Sequence, residues 1–288
     1  MTGIIQVGAC SWANPELASS GWYPRGFRNA EGRLRHYASR FPVVEVDSTY
    51  YALPSAHNSR MWAERTPAGF TFDVKAFAAL TGHPFPARAL PAELRPAGPP
   101  NARLRPHELP RGMLDALWDR FHEGIEPLRA AGRLGSVLFQ FPPWFRPSEE
   151  ARARIEECRK RSDVPVTVEF RHASWLTGRQ LDATVRFLSE LRIPLVGVDA
   201  PGLPPVVRAT SPQLSVVRFH GRSPDWGTGS KEEAYRHRYT VEELESWVPR
   251  LRELAESSAH VHALFNNCCG DAAVRAAETM TELLAAGA

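Results

Sequence analysis

Eight short runs of β-branched and aromatic residues recur along the chain, and most of them end in charged or amide side chains. They cover residues 4–8, 43–47, 70–75, 136–140, 166–172, 195–199, 216–222 and 260–267. A helix-like stretch separates most neighbours. Strand–helix alternation repeated eight times predicts an α/β fold, a TIM-like (β/α)8 barrel. In such a barrel the functional groups sit at the C-terminal ends of the strands. The polar residues of this chain gather at those ends, so one pattern predicts both a fold and a site.

A chain of 288 residues matches one barrel domain. It can bury enough surface to fold without a metal or disulfide staple. No apolar run is long enough to span a membrane, and no leader-like N-terminal segment is evident, so a soluble, cytoplasmic protein is expected. Four cysteines do not make a disulfide framework at this length. Lysine is scarce: Lys75, Lys160 and Lys231 are the only three in a Lys-plus-Arg total of 35. Arginine-rich coding accounts for that bias, and no basic block marks a nucleic-acid surface. The scarcity makes Lys75, at the end of the third run, conspicuous.

Helices are expected over residues 34–40, 56–65, 113–130, 148–161, 179–191, 240–256 and 271–284. Thr240 and Glu243 have capping-box spacing, and Ser148 precedes two acidic residues, a helix-start signal. Four prolines make the stretch 201–212 irregular. Residues 82–110 break the rhythm with eight prolines and several arginines. That segment reads as an insertion on the site face, either an ordered lid or a surface loop.

Side chains on a strand alternate between two faces. Glu45 and Asp47 oppose Val44 and Val46. Asp73 and Lys75 oppose Phe72 and Val74. Thr167, Glu169 and Arg171 oppose Val168 and Phe170. Arg218, His220 and Arg222 oppose Val217 and Phe219. The apolar sets belong against the helices, so the polar sets point into the barrel. Buried charges are costly unless paired, so these groups are expected to form a connected network. Glu169, Asp199, Glu45 and Lys75 are the acid–base candidates. Arg171, Arg218, His220 and Arg222 suit an anion, because guanidinium groups bind carboxylate or phosphate bidentately. Asn266 and Asn267, ending the eighth run, and Gln140, ending the fourth, offer amides for orienting a substrate. Trp12, Tyr51 and Trp175 supply aromatic surface near the strand ends, either for a planar ligand or as a cap on the core. Cys10 and the pair Cys268-Cys269 follow the first and eighth runs, which are neighbours in a closed barrel.

The same segments resemble a known family. Val7-Gly8-Ala9-Cys10-Ser11-Trp12, Val44-Glu45-Val46-Asp47-Ser48-Thr49-Tyr50-Tyr51-Ala52-Leu53-Pro54, and Trp62 with Thr66-Pro67 are similar to motifs of the YecE-like family, domain of unknown function 72. So are Phe72-Asp73-Val74-Lys75-Ala76, Leu138-Phe139-Gln140-Phe141-Pro142-Pro143, Val168-Glu169-Phe170-Arg171-His172 with Ser174-Trp175, Arg218-Phe219-His220-Gly221-Arg222, and Phe265-Asn266-Asn267. The resemblance spans nearly the whole chain and implies a TIM-like barrel, while naming no reaction. The chain departs from the family pattern at Ala9-Cys10 and at Cys268-Cys269.

The expected function is that of a metal-independent hydrolase or isomerase. It would act on a polar, anionic or hydroxylated small substrate by acid–base chemistry, with no cofactor. Two alternatives stay open. Glu45, Glu169, Asp199 and His220 would also suit a metal-dependent endonuclease- or sugar-isomerase-like barrel. The Arg-rich insertion would suit a non-catalytic nucleic-acid or ligand-binding module.

Overall fold

The computed structural model describes residues 2–27, 29–226 and 230–286. Among these residues, eight parallel strands form the barrel: β1 (Ile4–Cys10), β2 (Val43–Val46), β3 (Thr71–Lys75), β4 (Leu134–Gln140), β5 (Val166–Glu169), β6 (Gly197–Asp199), β7 (Leu214–Phe219) and β8 (His260–Phe265). Their hydrogen-bonded order is β5-β4-β3-β2-β1-β8-β7-β6. The seam between β5 and β6 closes just before β6, where Leu195 bridges Val168. There Val168 N–H donates to Pro194 O at 3.0 Å and Val196 N–H to Val168 O at 2.9 Å. The result is a closed TIM-like barrel.

Residue parity separates two cores. Val44, Val46, Phe72, Val74, Val168, Phe170, Val217 and Phe219 pack outward against the helices. Cys10, Val43, Leu138, Val196, Val198, Val216 and Leu264 fill the barrel interior. Because a strand turns alternate side chains to opposite faces, the residues between the outward set must look inward. That puts Glu45, Asp73, Glu169 and Arg218 inside. It also assigns Asp199 the other way: Val198 and Ala200 belong to the interior cluster, so Asp199 looks toward the helices.

Helices occupy most of the expected stretches, including Met113–Ala130 and Glu149–Arg161, the latter capped by Ser148 accepting from Ala151 N–H at 3.1 Å. The stretch 240–256 is two helices, Val241–Glu245 and Val248–Ser257. Pro249 has no N–H to continue a helix and is tolerated only in a first turn, so a new helix starts there. The stretch 201–212 carries no helix, as its prolines predict.

The Pro/Arg-rich insertion is ordered. Phe85–Pro86 pairs antiparallel with Arg103–Leu104, Phe85 packs on Phe77 at 5.2 Å, and Leu90 is buried. Three of its arginines serve the insertion itself: Arg88 bonds Asn101, Arg95 donates to Leu90 O at 3.0 Å, and Arg105 pairs with Glu108 at 3.2 Å. Among the described residues no helix is long and apolar enough to cross a membrane.

Candidate functional site

Arg218 on β7 is the hub of the barrel mouth. It is fully buried, as are Glu45 on β2 and Glu169 on β5. Its Nε and Nη2 donate to the two oxygens of Glu45 at 2.8 and 2.6 Å, and its Nη1 donates to Glu169 Oε2 at 2.6 Å. Arg171 donates to the other Glu169 oxygen, and His220 Nε2 lies 3.3 Å from that oxygen. Bidentate, charge-assisted pairing of this kind offsets the cost of taking the ions out of water.

A ring of neutral groups surrounds the hub. Gln140 Oε1, at the end of β4, accepts from Arg171 Nη2 and from Lys75 Nζ, each at 2.9 Å. The Asn266 amide lies 2.9 Å from His220 Nδ1. Arg171 stacks over Trp226 at 4.9 Å, and Lys75 stands 4.7 Å from the centre of the Tyr50 ring. Thr49 donates to Lys75 O at 2.6 Å, tying the ends of β2 and β3 together. One level deeper, Asp73 accepts from Ser136 at 2.8 Å and meets His262 Nδ1 at 2.6 Å. That trio plugs the barrel beneath the hub.

The protonation states follow from the packing. Burial alone would raise Glu169, but Arg171, Arg218 and His220 outweigh it and hold the carboxyl well below its ordinary range. Burial pushes Glu45 up, against the pull of Arg218 and Lys75. Burial, reinforced by Arg171 and Arg218, pushes His220 well below its usual value, so the imidazole is neutral at physiological pH. Burial lowers Lys75 to about 8, with the Arg218 charge adding to it and Glu45 opposing. Within the network itself Arg218, Arg171 and Lys75 face Glu45 and Glu169, and the cavity wall adds the carboxylates of Asp47 and Glu16.

Lys75 differs from the arginines. Among the described residues it forms no ion pair; its partners are an amide oxygen and a ring face. It lines a cavity of about 170 Å³ together with Asn14, Asp47, Tyr51, Tyr235 and an edge of Arg218. An amine with spare donors and a pKa brought to about 8, in a small polar cavity backed by Arg218, is able to hold an anion and to move a proton beside it.

Several sequence expectations meet here: Glu45, Lys75, Gln140, Glu169, Arg171, Arg218, His220 and Asn266 converge on one mouth. Others do not. Asp199 sits on the helix side and pairs with Arg222 at 3.3 Å, while Tyr239 hydrogen-bonds the same carboxylate. Arg222 leaves the β7 face because Gly221, at φ 93°, turns the chain just before it; Arg222 then reaches Glu243 at 3.2 Å. Asn267 points away from the mouth and donates to His237 O at 2.9 Å. Trp175 is core: it stacks on Phe170 at 4.3 Å and donates to Phe145 O at 2.8 Å. Trp12 is buried beside the mouth, and Tyr51 is half exposed on its rim. Cys268 does approach the first strand, donating to Cys10 O at 3.8 Å, while burial holds the Cys10 thiol well above its usual pKa. Of the four residues that suggested a metal, Asp199 lies in a different network and the two glutamates are committed to Arg218; among the described residues no three His, Cys, Asp or Glu side chains gather as a ligand set.

Strand alternation turns Asp47 inward with Glu45 but assigns it no role, and it says nothing of Asn14, Glu16 or Tyr235. Asn14 caps the short helix Pro15–Ser19 that carries Glu16, and Tyr235 lies beyond β7. No strand periodicity marks these positions.

Fold and site together define a TIM-like barrel with a buried ion network across its mouth. The chain belongs to the family described as "Protein of unknown function DUF72", which matches residues 6–288. It is 32% identical to the UPF0759 protein YunF of Bacillus subtilis (strain 168), over 98% of this chain and 95% of that protein. A DUF72 family protein of Thermotoga maritima MSB8 superposes with a TM-score of 0.78 at 27% identity, covering 98% of this chain and 99% of that one. One from Enterococcus faecalis V583 superposes with a TM-score of 0.79 at 23% identity, covering 98% and 96%.

Proposed function

We propose that the barrel mouth is the site of a small-molecule enzyme that binds an anionic substrate and uses Lys75 for general acid–base chemistry, in a hydrolysis or an isomerisation. The observation that carries this reading is the position of Lys75 Nζ. It faces the 170 Å³ cavity, has donor capacity beyond its bond to Gln140, and has no carboxylate within ion-pair range among the described residues. A catalytic lysine works best with a pKa brought down toward 7–8, and burial brings Lys75 to about 8.

Glu169 and Glu45 take a different part in this scheme. Each has both oxygens committed to cations. A carboxylate so held serves as a fixed counter-charge, and the Glu45–Arg218–Glu169–Arg171 network becomes a preorganised electrostatic platform. The neutral amine of Lys75 takes a proton from the substrate or its attacking water, and the ammonium so formed stabilises the negative charge that develops.

Thermal melts test the anion half of the reading. Phosphate and acetate, at the same ionic strength as a chloride control, should stabilise the wild-type protein, and Lys75→Gln should remove the effect. Equal stabilisation of the two proteins would sink it.

A further inference from the structure

A second cavity of about 540 Å³ adjoins the first, and Asn14, Asp47, Tyr51 and Cys268 are walls of both. Shared walls make the two one cleft with a polar end at Lys75 and a remote end of other chemistry. The remote end presents Trp12, Leu34, Met61 and Trp62, with His57 and Asn58 at the rim. Trp62 meets Trp12 edge to face at 5.5 Å and stacks on Phe72 at 6.2 Å, so the aromatic wall is braced from behind.

The backbone that joins the two ends is strained. Ser11, directly after β1, has φ 81°, a conformation uncommon outside glycine. It is held there by its N–H donating to Glu45 O at 2.9 Å, while its Oγ accepts from Ala13 N–H at 3.1 Å. This kink carries the chain over the mouth and brings Trp12 and Asn14 into the cleft. Held strain of this kind collects at ligand clamps.

Asp47 stands at the junction. Among the described residues its carboxylate has no hydrogen bond or ion pair, though it lines both cavities. An unpaired carboxylate would repel an anion bound at Lys75 unless a hydrogen-bond donor on the ligand lay between them.

We infer that the cleft takes an elongated carboxylate carrying a hydroxyl or amino group beside its acid group and a planar apolar tail. The acid lies at Lys75, the donor meets Asp47, and the tail fills the space against Trp62 and Met61. The larger cavity has the volume usual for such sites, and its mix of apolar walls with a few convergent polar groups is the usual one. This inference rests on the Lys75 reading above and specifies the substrate class of that site.

Calorimetric titration of the full chain with lactate and with 3-phenyllactate tests it, because the two acids share head and hydroxyl and differ only in the ring. 3-Phenyllactate should bind at least about tenfold tighter than lactate, as expected for burying an aromatic ring. Trp62→Ala should abolish that gain and leave lactate binding unchanged. Trp62 also packs in the core, so Asn58→Trp provides a second variant: its indole, placed on the exposed rim, should block the tail and spare lactate. Equal affinities for the two acids, or loss of both acids together in Asn58→Trp, would overturn the two-part cleft. Lys75→Gln should weaken both acids alike; if 3-phenyllactate binds tightly and Lys75→Gln leaves it unaffected, the aromatic end survives and the anion reading fails. Binding of neither acid to the wild-type protein overturns both.

Discussion

Lys75 Nζ stands 2.9 Å from Gln140 Oε1, and that oxygen also accepts from Arg171 Nη2 at 2.9 Å. One neutral carbonyl thus links Arg171, which also pairs with Glu169, to Lys75, which has no carboxylate partner among the described residues. The arrangement leaves Lys75 as the cation of the network that no carboxylate pairs with among the described residues. It also leaves Lys75 free to exchange its proton, which a salt bridge would prevent.

Gln140→Glu should undo this. A carboxylate at that position would pair with Lys75, raise its pKa by about 1–3 units, and occupy the amine that the anion needs. The stabilisation by phosphate or acetate seen in thermal melts should disappear although Lys75 is intact. Retained stabilisation would show that the charge balance is not what governs binding.

The pH dependence has a definite sign. The folded pKa of Lys75 is about 8, below the ordinary 10.5. Between those values the unfolded chain binds the extra proton, so Lys75 makes the protein more stable as pH rises through that window. Lys75→Met should flatten that part of the stability curve. Anion affinity should fall over the same range, with a midpoint near the lysine pKa, because the neutral amine no longer carries a charge to pair with the anion. A midpoint near 10.5 would mean that Lys75 is not desolvated in solution.

Glu169→Gln tests whether the carboxylate is a counter-charge. Arg171 and Arg218 would lose a shared anion inside the barrel, and an uncompensated buried charge costs about 3–5 kcal/mol. The denaturation midpoint should drop accordingly. Glu169 is held well below its ordinary range, so its stabilising contribution is present above the unfolded carboxyl pKa. That contribution is lost as pH falls through the lower folded value, and the variant should be relatively less disadvantaged in acid. A variant as stable as the wild-type protein would return Glu169 to the acid–base candidates.

Much of this architecture was legible in the sequence because barrel geometry couples parity to place. Glu45, Asp73, Glu169 and Arg218 alternate with residues that have to meet the helices, so their inward direction follows from a period of two. The rule fails where the strand stops. β7 ends at Phe219, and Gly221 redirects the chain, so Arg222 does not continue the Arg218–His220 face. Asp199 misled for another reason: its run is almost wholly apolar on both faces, so alternation does not say which side is the interior. Position at a strand end then suggested a functional role that parity contradicts. Asn14 and Glu16 start a five-residue helix too short to show a period, and Tyr235 lies in a turn. The cleft beside Trp62 depends on a helix, Ala56–Glu64, meeting the turn after β1, a long-range contact that local pattern does not encode.

Asp199 gives the clearest test of that division. Its partners are Arg222, half exposed at 39%, and the Tyr239 hydroxyl, and Arg222 runs on to Glu243, which also meets His237 at 3.0 Å. This second network fastens the segment after β7 to the helix side of the barrel, away from the Lys75 cavity. A partly exposed pair of this kind contributes about 1 kcal/mol at most. Asp199→Asn should therefore lower the denaturation midpoint slightly and leave anion affinity and the titration of Lys75 unchanged. Lys75→Gln should do the reverse, losing the anion and keeping the midpoint close to that of the wild-type protein, since removing a desolvated, unpaired cation relieves a burial cost. The two variants measured side by side separate the mouth from its support. If Asp199→Asn lost anion binding as fully as Lys75→Gln, the two networks would have to act as one, and Asp199 would regain the catalytic role that its position at the end of β6 first suggested.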